Sequence, residues 1–243
     1  MLLDTFSGLK APDALKAGAS SCDRCAVRGK AICGSLSQEE LADLNRLGRH
    51  IRLAKGQTLV WESDESLLVG NVLDGMLKLA TMTGDGREQI VGIVFPSDFI
   101  GRPFGGNSGQ TVTALTDARV CVFSRGAFDK FANCHREIEK ALLRRTLDEL
   151  DRARRWMLIL GRLSATEKVA SLLLEMTERL GGGDGREIML PLSRQQMGDL
   201  LGLALETVSR VMSRFKDAGV IALPGGRRLI VTNLFALAQI AAR

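Results

Sequence analysis

The chain has 243 residues, 45% of them hydrophobic, with a formal net charge of +5 and a pI near 9.1. That length and apolar content allow about two domains with real cores, and the charge gives a modest lean toward anionic partners. No apolar run approaches the ~20 residues of a membrane span, and Met1-Leu-Leu-Asp-Thr5 lacks the basic start and long apolar stretch of a secretory signal, so a cytoplasmic protein with no membrane partner is expected.

Residues 1–35 show little periodicity and carry Cys22-Asp-Arg-Cys25 and then, after seven further residues, Cys33. A C-x2-C pair lets two thiolates point at one centre, and the longer gap lets the chain loop round to a third face; the spacing reads as a metal or iron–sulfur site. A fourth corner must come from the folded body, and Cys121 lies far downstream in a run that reads as a β-strand. Ser21, Asp23, Arg24, Arg28, Gly29 and Lys30 around the three cysteines offer almost no core in which to hide thiols. An odd total of five cysteines, without a secretory signal, disfavours a disulfide set. The order of this piece is expected to depend on bound metal. Cys134, beside Asn133 and His135, is given no role.

A short helix opens at Ser37, where Ser37 and Glu40 form a capping-box pair. From there to about Asn133 the pattern is β-like. Thr58-Leu-Val-Trp61, Leu67-Leu-Val69, Met76-Leu-Lys-Leu-Ala80 and Gln89-Ile-Val-Gly-Ile-Val94 are separated by turn signals at Gly56, Asp74-Gly75, Gly84-Asp-Gly86, Pro96-Ser-Asp98 and Gly101. Many short strands at near-even spacing predict a small antiparallel barrel or double-sheet roll.

Between Arg136 and Leu160 the period becomes helical. Ile138, Leu142, Thr146, Leu150, Ala153, Met157 and Leu160 recur at steps of three and four, the seam of a long helix packed on another helix. Charges on both flanks, including Arg144, Arg145, Asp148, Asp151, Arg152 and Arg154, favour a homodimer seam over a helix buried in one domain. A second line, Leu143 and Leu147, could face the barrel of its own chain.

In Gln196-Met-Gly-Asp-Leu-Leu-Gly-Leu-Ala-Leu-Glu-Thr-Val-Ser-Arg210, Gly198 allows two helices to cross closely and Gly202 permits a tight turn between them. Met197, Leu201, Leu203, Val208 and Val211 fall where a helix-turn-helix needs core contacts. Ser193 with Gln196 caps the first helix, and Gly219 stops the second. Ile221 to Val231 then reads as a hairpin wing turning at Gly225-Gly226. The exposed face of the second helix carries Glu206, Thr207, Ser209, Arg210, Ser213 and Arg214. Arg210 can make paired hydrogen bonds to guanine, Glu206 can accept from cytosine N4, and Leu205 can rest on a thymine methyl. Lys168, Ser193, Arg194, Thr207, Arg214 and Lys216, with Arg227 and Arg228 of the wing, are candidate phosphate contacts, which supply affinity and salt dependence. The expected chain is α+β: residues 1–35 cysteine-rich, 36–134 a sensor β-roll, 135–162 a dimerisation helix and 163–243 a winged helix-turn-helix that binds double-stranded DNA.

Residues from about 37 to 243 resemble the CRP/FNR family of bacterial transcription regulators, and Glu206-Thr-Val-Ser-Arg210 resembles the FNR recognition helix in particular. The resemblance implies a roll like a cyclic-nucleotide-binding domain, and a homodimer with Ile138, Leu142, Leu150, Met157 and Leu160 in its helix seam. It implies Glu206, Ser209 and Arg210 as base readers of a half-site similar to TTGAT, repeated as a palindrome. RNA polymerase is an implied partner, since Thr83-Gly-Asp-Gly-Arg87 resembles a polymerase-contacting loop. Cys22, Cys25, Cys33 and Cys121 likewise resemble the ligand set of a 4Fe–4S cluster; Cys121, in Ala118-Arg-Val-Cys-Val-Phe123, matches the family's distant ligand. An oxygen-responsive regulator follows, dimeric and DNA-bound at low oxygen and inactivated when air removes the cluster.

Three features depart from the enteric FNR pattern. The gap between Cys25 and Cys33 is longer and looks like that of FNR-type regulators of alphaproteobacteria. Ala204 replaces the usual Thr or Ser before the recognition helix, weakening its N-cap by ~1 kcal/mol. Arg154 and Arg155 stand near where the enteric proteins have an acidic residue. A cyclic-nucleotide ligand is not expected. By resemblance to CRP that site needs a Glu after Phe-Ile-Gly and an Arg-Ser pair, whereas Phe99-Ile-Gly101 is followed here by Arg102-Pro103, and Gly109-Gln-Thr-Val112 holds neither partner. A zinc staple or redox-active thiols at the same cysteines are the competing readings. Enzymatic activity is not expected: His50 and His135 are the only histidines, neither near a Ser or Cys nucleophile pattern.

Overall fold

A computed structural model describes residues 22, 24–181 and 186–241. Residues 1–21 and 23, which include most of the cysteine-rich piece with Ser21 and Asp23, lie outside the described residues. Two short 3-10 turns, Arg28–Lys30 and Ile32–Ser35, lead into α1 (Gln38–Leu47), where the Ser37 hydroxyl accepts from Glu40 N and the Glu40 carboxylate accepts from Ser37 N, the expected capping box.

Eight strands follow: β1 (Gly48–Leu53), β2 (Thr58–Val60), β3 (Leu68–Asp74), β4 (Leu77–Met82), β5 (Glu88–Val94), β6 (Phe99–Ile100), β7 (Thr111–Ala114) and β8 (Ala118–Ser124). They form two four-stranded antiparallel sheets, ordered β1-β8-β3-β6 and β2-β7-β4-β5. Inward side chains of both, among them Leu53, Val72, Leu77, Val94, Ile100, Val112, Val120 and Val122, make one core, the double-sheet roll that the alternating pattern predicts.

The roll ends sooner than its sequence suggests. Residues Arg125–Cys134 form a helix, α2, instead of continuing the β pattern. Phe128, Phe131 and Ala132, at helical spacing, turn one face inward, and Phe128 meets Phe99 and Phe123 at ring-centroid distances of 5.5 and 5.8 Å.

The long helix α3 (Arg136–Arg162) forms as the period demands, but two parts of its assignment change. Ile138 has no exposed surface and packs with Leu142 into a core made by Ile32, Leu36, Leu41, Leu44, Phe128 and Phe131 of its own chain. Ile138 is therefore unavailable to a partner. Leu143 and Leu147 do not face their own barrel: they are 60% and 52% exposed and align with exposed Leu150, Met157, Leu158 and Leu160. The free apolar line is rotated by one residue, because the packing of α3 on Ile32 and α2, which periodicity cannot reveal, sets its phase.

The C-terminal piece comprises α4 (Ala165–Leu180), β9 (Glu187–Met189), α5 (Arg194–Leu201), α6 (Leu205–Asp217), β10 (Ile221–Gly225), β11 (Arg228–Val231) and α7 (Leu234–Ile240). The wing has a third strand, β9, paired antiparallel to β11. Its two-residue turn is Gly226-Arg227, one position beyond Gly225-Gly226, with φ of +59° and +64° between the paired Gly225 and Arg228. The core of this piece is continuous with the roll, since Met76, Ile90, Phe95 and Leu115 belong to the same cluster as Leu172, Met197, Val208 and Phe215.

Candidate cysteine centre and nucleic-acid interface

The helix-turn-helix is built from its glycines and apolar plugs. A methyl on Gly198 would stand 2.5 Å from the Leu203 carbonyl oxygen, and the Leu203 N–H donates to the Gly198 carbonyl at 3.0 Å, so a side chain there would push the turn apart. Gly202 caps α5 at φ +63°, and Ser193 and Gln196 exchange the expected capping hydrogen bonds. Val208, Val211, Met212 and Phe215 bury one face of α6. The opposite face leaves Glu206, Arg210, Ser213, Arg214 and Lys216 exposed and Thr207 and Ser209 half-buried, with Arg210 Nη2 donating to Thr207 Oγ1 at 3.4 Å. Ala204 makes no side-chain cap.

The remaining candidate cations are less free. Arg194 is half-buried beside the Met197 sulfur at 3.4 Å, and burial lowers its pKa. Arg228 is held by Glu187 at 2.6 Å, and Arg227 donates to the Pro191 carbonyl at 3.3 Å. Lys168 lines a cleft of about 480 Å³ between β5, α3, α4 and α5.

At the other end of the roll, Cys22, Cys25, Cys33 and Cys121 line a single narrow cavity with Val27, Arg28, Ala31, Leu44, Asn45, His50, Asn71, Leu73 and Phe123. Cys22 Sγ donates to Asn45 Oδ1 at 3.2 Å, and none of the thiols is in a disulfide. Among the described residues, no three Cys, His, Asp or Glu side chains form a group that could hold a metal ion as placed. The thiols still feel one another. Burial pushes the Cys121 thiol up to about 12 from an ordinary value of 9.0, and charge on Cys22, Cys33 and Cys25 adds to the shift. Cys33 is pushed up to about 11, first by burial and then by Cys25 and Cys22, with Arg28 pulling the other way.

Cys121 sits in the middle of β8, flanked by His50 on β1 and Asn71 on β3, both directly across the ladder from it. Directly opposed residues project from the same face, so the three form a row beneath the cysteine-bearing turns. Gly70 fixes the backbone there, since a methyl at that position would stand 2.2 Å from the Cys121 carbonyl oxygen. Sequence reasoning missed His50 and Asn71; the one visible signal was a polar Asn71 inside the apolar run Leu68-Val-Gly-Asn-Val-Leu73. Cys134 is exposed at the end of α2.

A third constellation, also missed, joins these two ends. Asp98, with its side chain 16% exposed, meets Arg179 of α4 at 2.7 Å and Arg152 and Arg145 of α3 at 3.8 and 3.9 Å. It also accepts from Phe95 N, and the Arg179 guanidinium lies 4.5 Å from the centre of the Phe95 ring. One carboxylate of the roll thus pins the long helix and the first helix of the C-terminal piece.

Residues 50–135 match the cyclic nucleotide-binding domain, and residues 167–240 match the Crp-like helix-turn-helix domain. The chain is 42% identical to the transcriptional activator protein FnrL of Cereibacter sphaeroides, over 90% of each chain. It is 38% identical to the nitrogen fixation regulation protein FixK of Bradyrhizobium diazoefficiens, over 84% of this chain and 87% of that one. Among solved structures, that of FixK2 from Bradyrhizobium japonicum superposes with a TM-score of 0.76 at 32% identity, covering 81% of this chain and 98% of that one.

Proposed function

Because the chain belongs to the CRP/FNR family of DNA-binding transcription regulators, which are not enzymes, we propose that it is an oxygen-responsive, cytoplasmic member acting as a homodimer on a TTGAT-like palindrome and on RNA polymerase. The observation that carries this reading is the convergence of four thiols on one cavity, three from an N-terminal turn and one from a sheet strand. Such an all-sulfur donor set suits a 4Fe–4S cluster, with one thiolate from each of Cys22, Cys25, Cys33 and Cys121. When bound, the cluster would supply an oxygen-labile cross-link between the N-terminal turns and β8.

The chain's own residues would carry that tie to the DNA. The turn bearing Cys33 presents Ile32 and Leu36 to Ile138 and Leu142, and Ser35 Oγ stands 3.5 Å from the Glu137 carbonyl, so holding the turn holds the start of α3. Arg28, in the cavity wall, offsets thiolate charge. The exposed line Leu143, Leu147, Leu150, Met157, Leu158 and Leu160 would form the two-fold seam. Glu206, Ser209 and Arg210 would read bases, and Thr207, Arg214 and Lys216 would hold phosphates. Two linked reading heads bind far more tightly than one, which converts a modest shift in dimerisation into a large change in occupancy.

The test is anaerobic purification followed by iron, sulfide and zinc analysis, a visible spectrum, sedimentation, and DNA binding before and after air. Iron and sulfide with air-sensitive absorption, dimers and tight palindrome binding are expected. Stoichiometric zinc without iron, no metal at all, or DNA affinity unchanged by air would overturn the proposal.

A further inference from the structure

The row His50–Cys121–Asn71 holds one group that nothing above uses. Asn71 is 3% exposed, lines the cysteine cavity and lies directly across the β3–β8 ladder from Cys121. Its Oδ1 is buried with no hydrogen-bond partner among the described residues. His50, on the other flank, is exposed and can be satisfied by solvent; Asn71 Oδ1 cannot. A buried amide oxygen without a partner disfavours the folded chain relative to a hydrocarbon in its place. Which end of the amide carries nitrogen is interchangeable by rotation, so it can present either a donor or an acceptor to the cavity.

We infer that Asn71 is a positioning residue for sulfur: its side-chain N–H donates to the Cys121 thiolate, or to a sulfide beside it, once the four cysteines hold their iron–sulfur group. This rests on the reading of the cysteine site given above. Thiolate and sulfide only accept, and Asn71 is the neutral donor opposite the one ligand that comes from the rigid sheet. A hydrogen bond to ligand sulfur withdraws electron density from it and stabilises the reduced state, which makes Asn71 a determinant of potential and retention.

The substitution Asn71→Leu keeps the branched outline of the side chain, with bulkier ends, and removes the donor, and Asn71→Ser keeps a shorter donor. In aerobically purified, cluster-free protein, N71L is expected to melt at or above the wild-type temperature, because an unpartnered amide has become hydrocarbon. In anaerobically reconstituted protein the same variant is expected to show a more negative midpoint potential. Its cluster should also be lost to a chelator about 10- to 100-fold faster, as for other outer-shell partners of bound metals, with N71S between the two. Cluster-free N71L and N71S that both melt lower or fail to fold assign Asn71 a purely structural role and overturn the inference, as do an unchanged potential and an unchanged chelator half-life. If wild-type protein itself takes up no iron and sulfide, the cysteine reading fails, and that result is visible without any Asn71 variant.

Discussion

Replacing Asp98 by Asn tests whether one carboxylate joins the roll to the helices that carry the reading head. The amide keeps an oxygen that can accept from Phe95 N, so the change isolates the charge. With an effective dielectric of ~20, Arg179 at 2.7 Å contributes ~6 kcal/mol of attraction, and Arg152 and Arg145 at 3.8 and 3.9 Å contribute ~4 kcal/mol each. Desolvation of the carboxylate and repulsion among three guanidiniums cancel most of that sum. Breaking a fully buried pair costs ~3–5 kcal/mol. Here the four side chains are 16–31% exposed, so we expect ~2–3 kcal/mol. For a chain of this size that lowers Tm by ~4–12 °C. Thermal unfolding of wild type, Asp98→Asn, Arg179→Gln and the double variant measures it, and the double variant should lose clearly less than the sum of the singles. Single losses below ~1 °C, or full additivity, would mean that the arginines are effectively solvated and that Asp98 joins nothing.

Three further outcomes follow from local geometry. Ala204→Ser should add a missing N-cap to α6, since Ala204 already has extended backbone at φ −66° and ψ 146°; a gain of ~1 kcal/mol, or ~2–4 °C in Tm, is expected in the same assay. Gly70→Ala should displace β3 from β8 at Cys121, because its methyl would sit 2.2 Å from a carbonyl oxygen, and iron retention should fall along with stability. For pH, the folded thiols of Cys33 and Cys121 titrate at about 11 and 12 against 9.0 when unfolded. Their raised pKa contributes stability that is fully present below pH 9 and is lost as pH rises through the folded values, roughly 5 kcal/mol for the two together by pH 11. Denaturant unfolding of the cluster-free protein between pH 8 and 11 checks this, and a Cys121→Ser variant should lose less across that window.

Sequence reached furthest where one residue type at one spacing has one structural use. Gly198, Gly202, Val208 and the Ser193/Gln196 box fix the helix-turn-helix because each acts on a neighbour within one or two turns. The same kinds of local signal stand in two further places: Ser164 and Glu167 cap α4 with a box of the same pattern, and Phe128, Phe131 and Ala132 mark α2. What no local pattern reveals is the phase of a stripe or the partner of a charge. Ile138 and Leu143 both lie on apolar lines of α3, and the arrival of Ile32 from the N-terminal turn, with Phe128 and Phe131 of α2, decides which one is covered. Asp98 meets Arg179 across 81 residues of sequence. Asn71 and His50 reach Cys121 only through strand register, which emerges when the sheet closes.

The distribution of these contacts along α3 explains why the cysteine turns would be an effective place from which to govern DNA binding. A 27-residue helix spans ~40 Å and behaves as a rod over that length. Its first turn rests on the cysteine-bearing segment through Ile138, its middle is held by Asp98 through Arg145 and Arg152, and its end leads through Ser164 into α4. In the proposed dimer, Leu143, Leu147, Leu150, Met157, Leu158 and Leu160 of both protomers would be covered; they are now 38–72% exposed, about half on average. Finishing that burial supplies ~0.75–1.5 kcal/mol per side chain, or ~9–18 kcal/mol for the pair of helices. Association costs ~4–15 kcal/mol in lost freedom. The two ranges overlap. A seam of much larger apolar area would stay closed whatever happened at the cysteines, and a smaller one would never close; between those limits, a tilt of the rod at Ile32 and Leu36 would decide between one reading head and two in the proposed dimer.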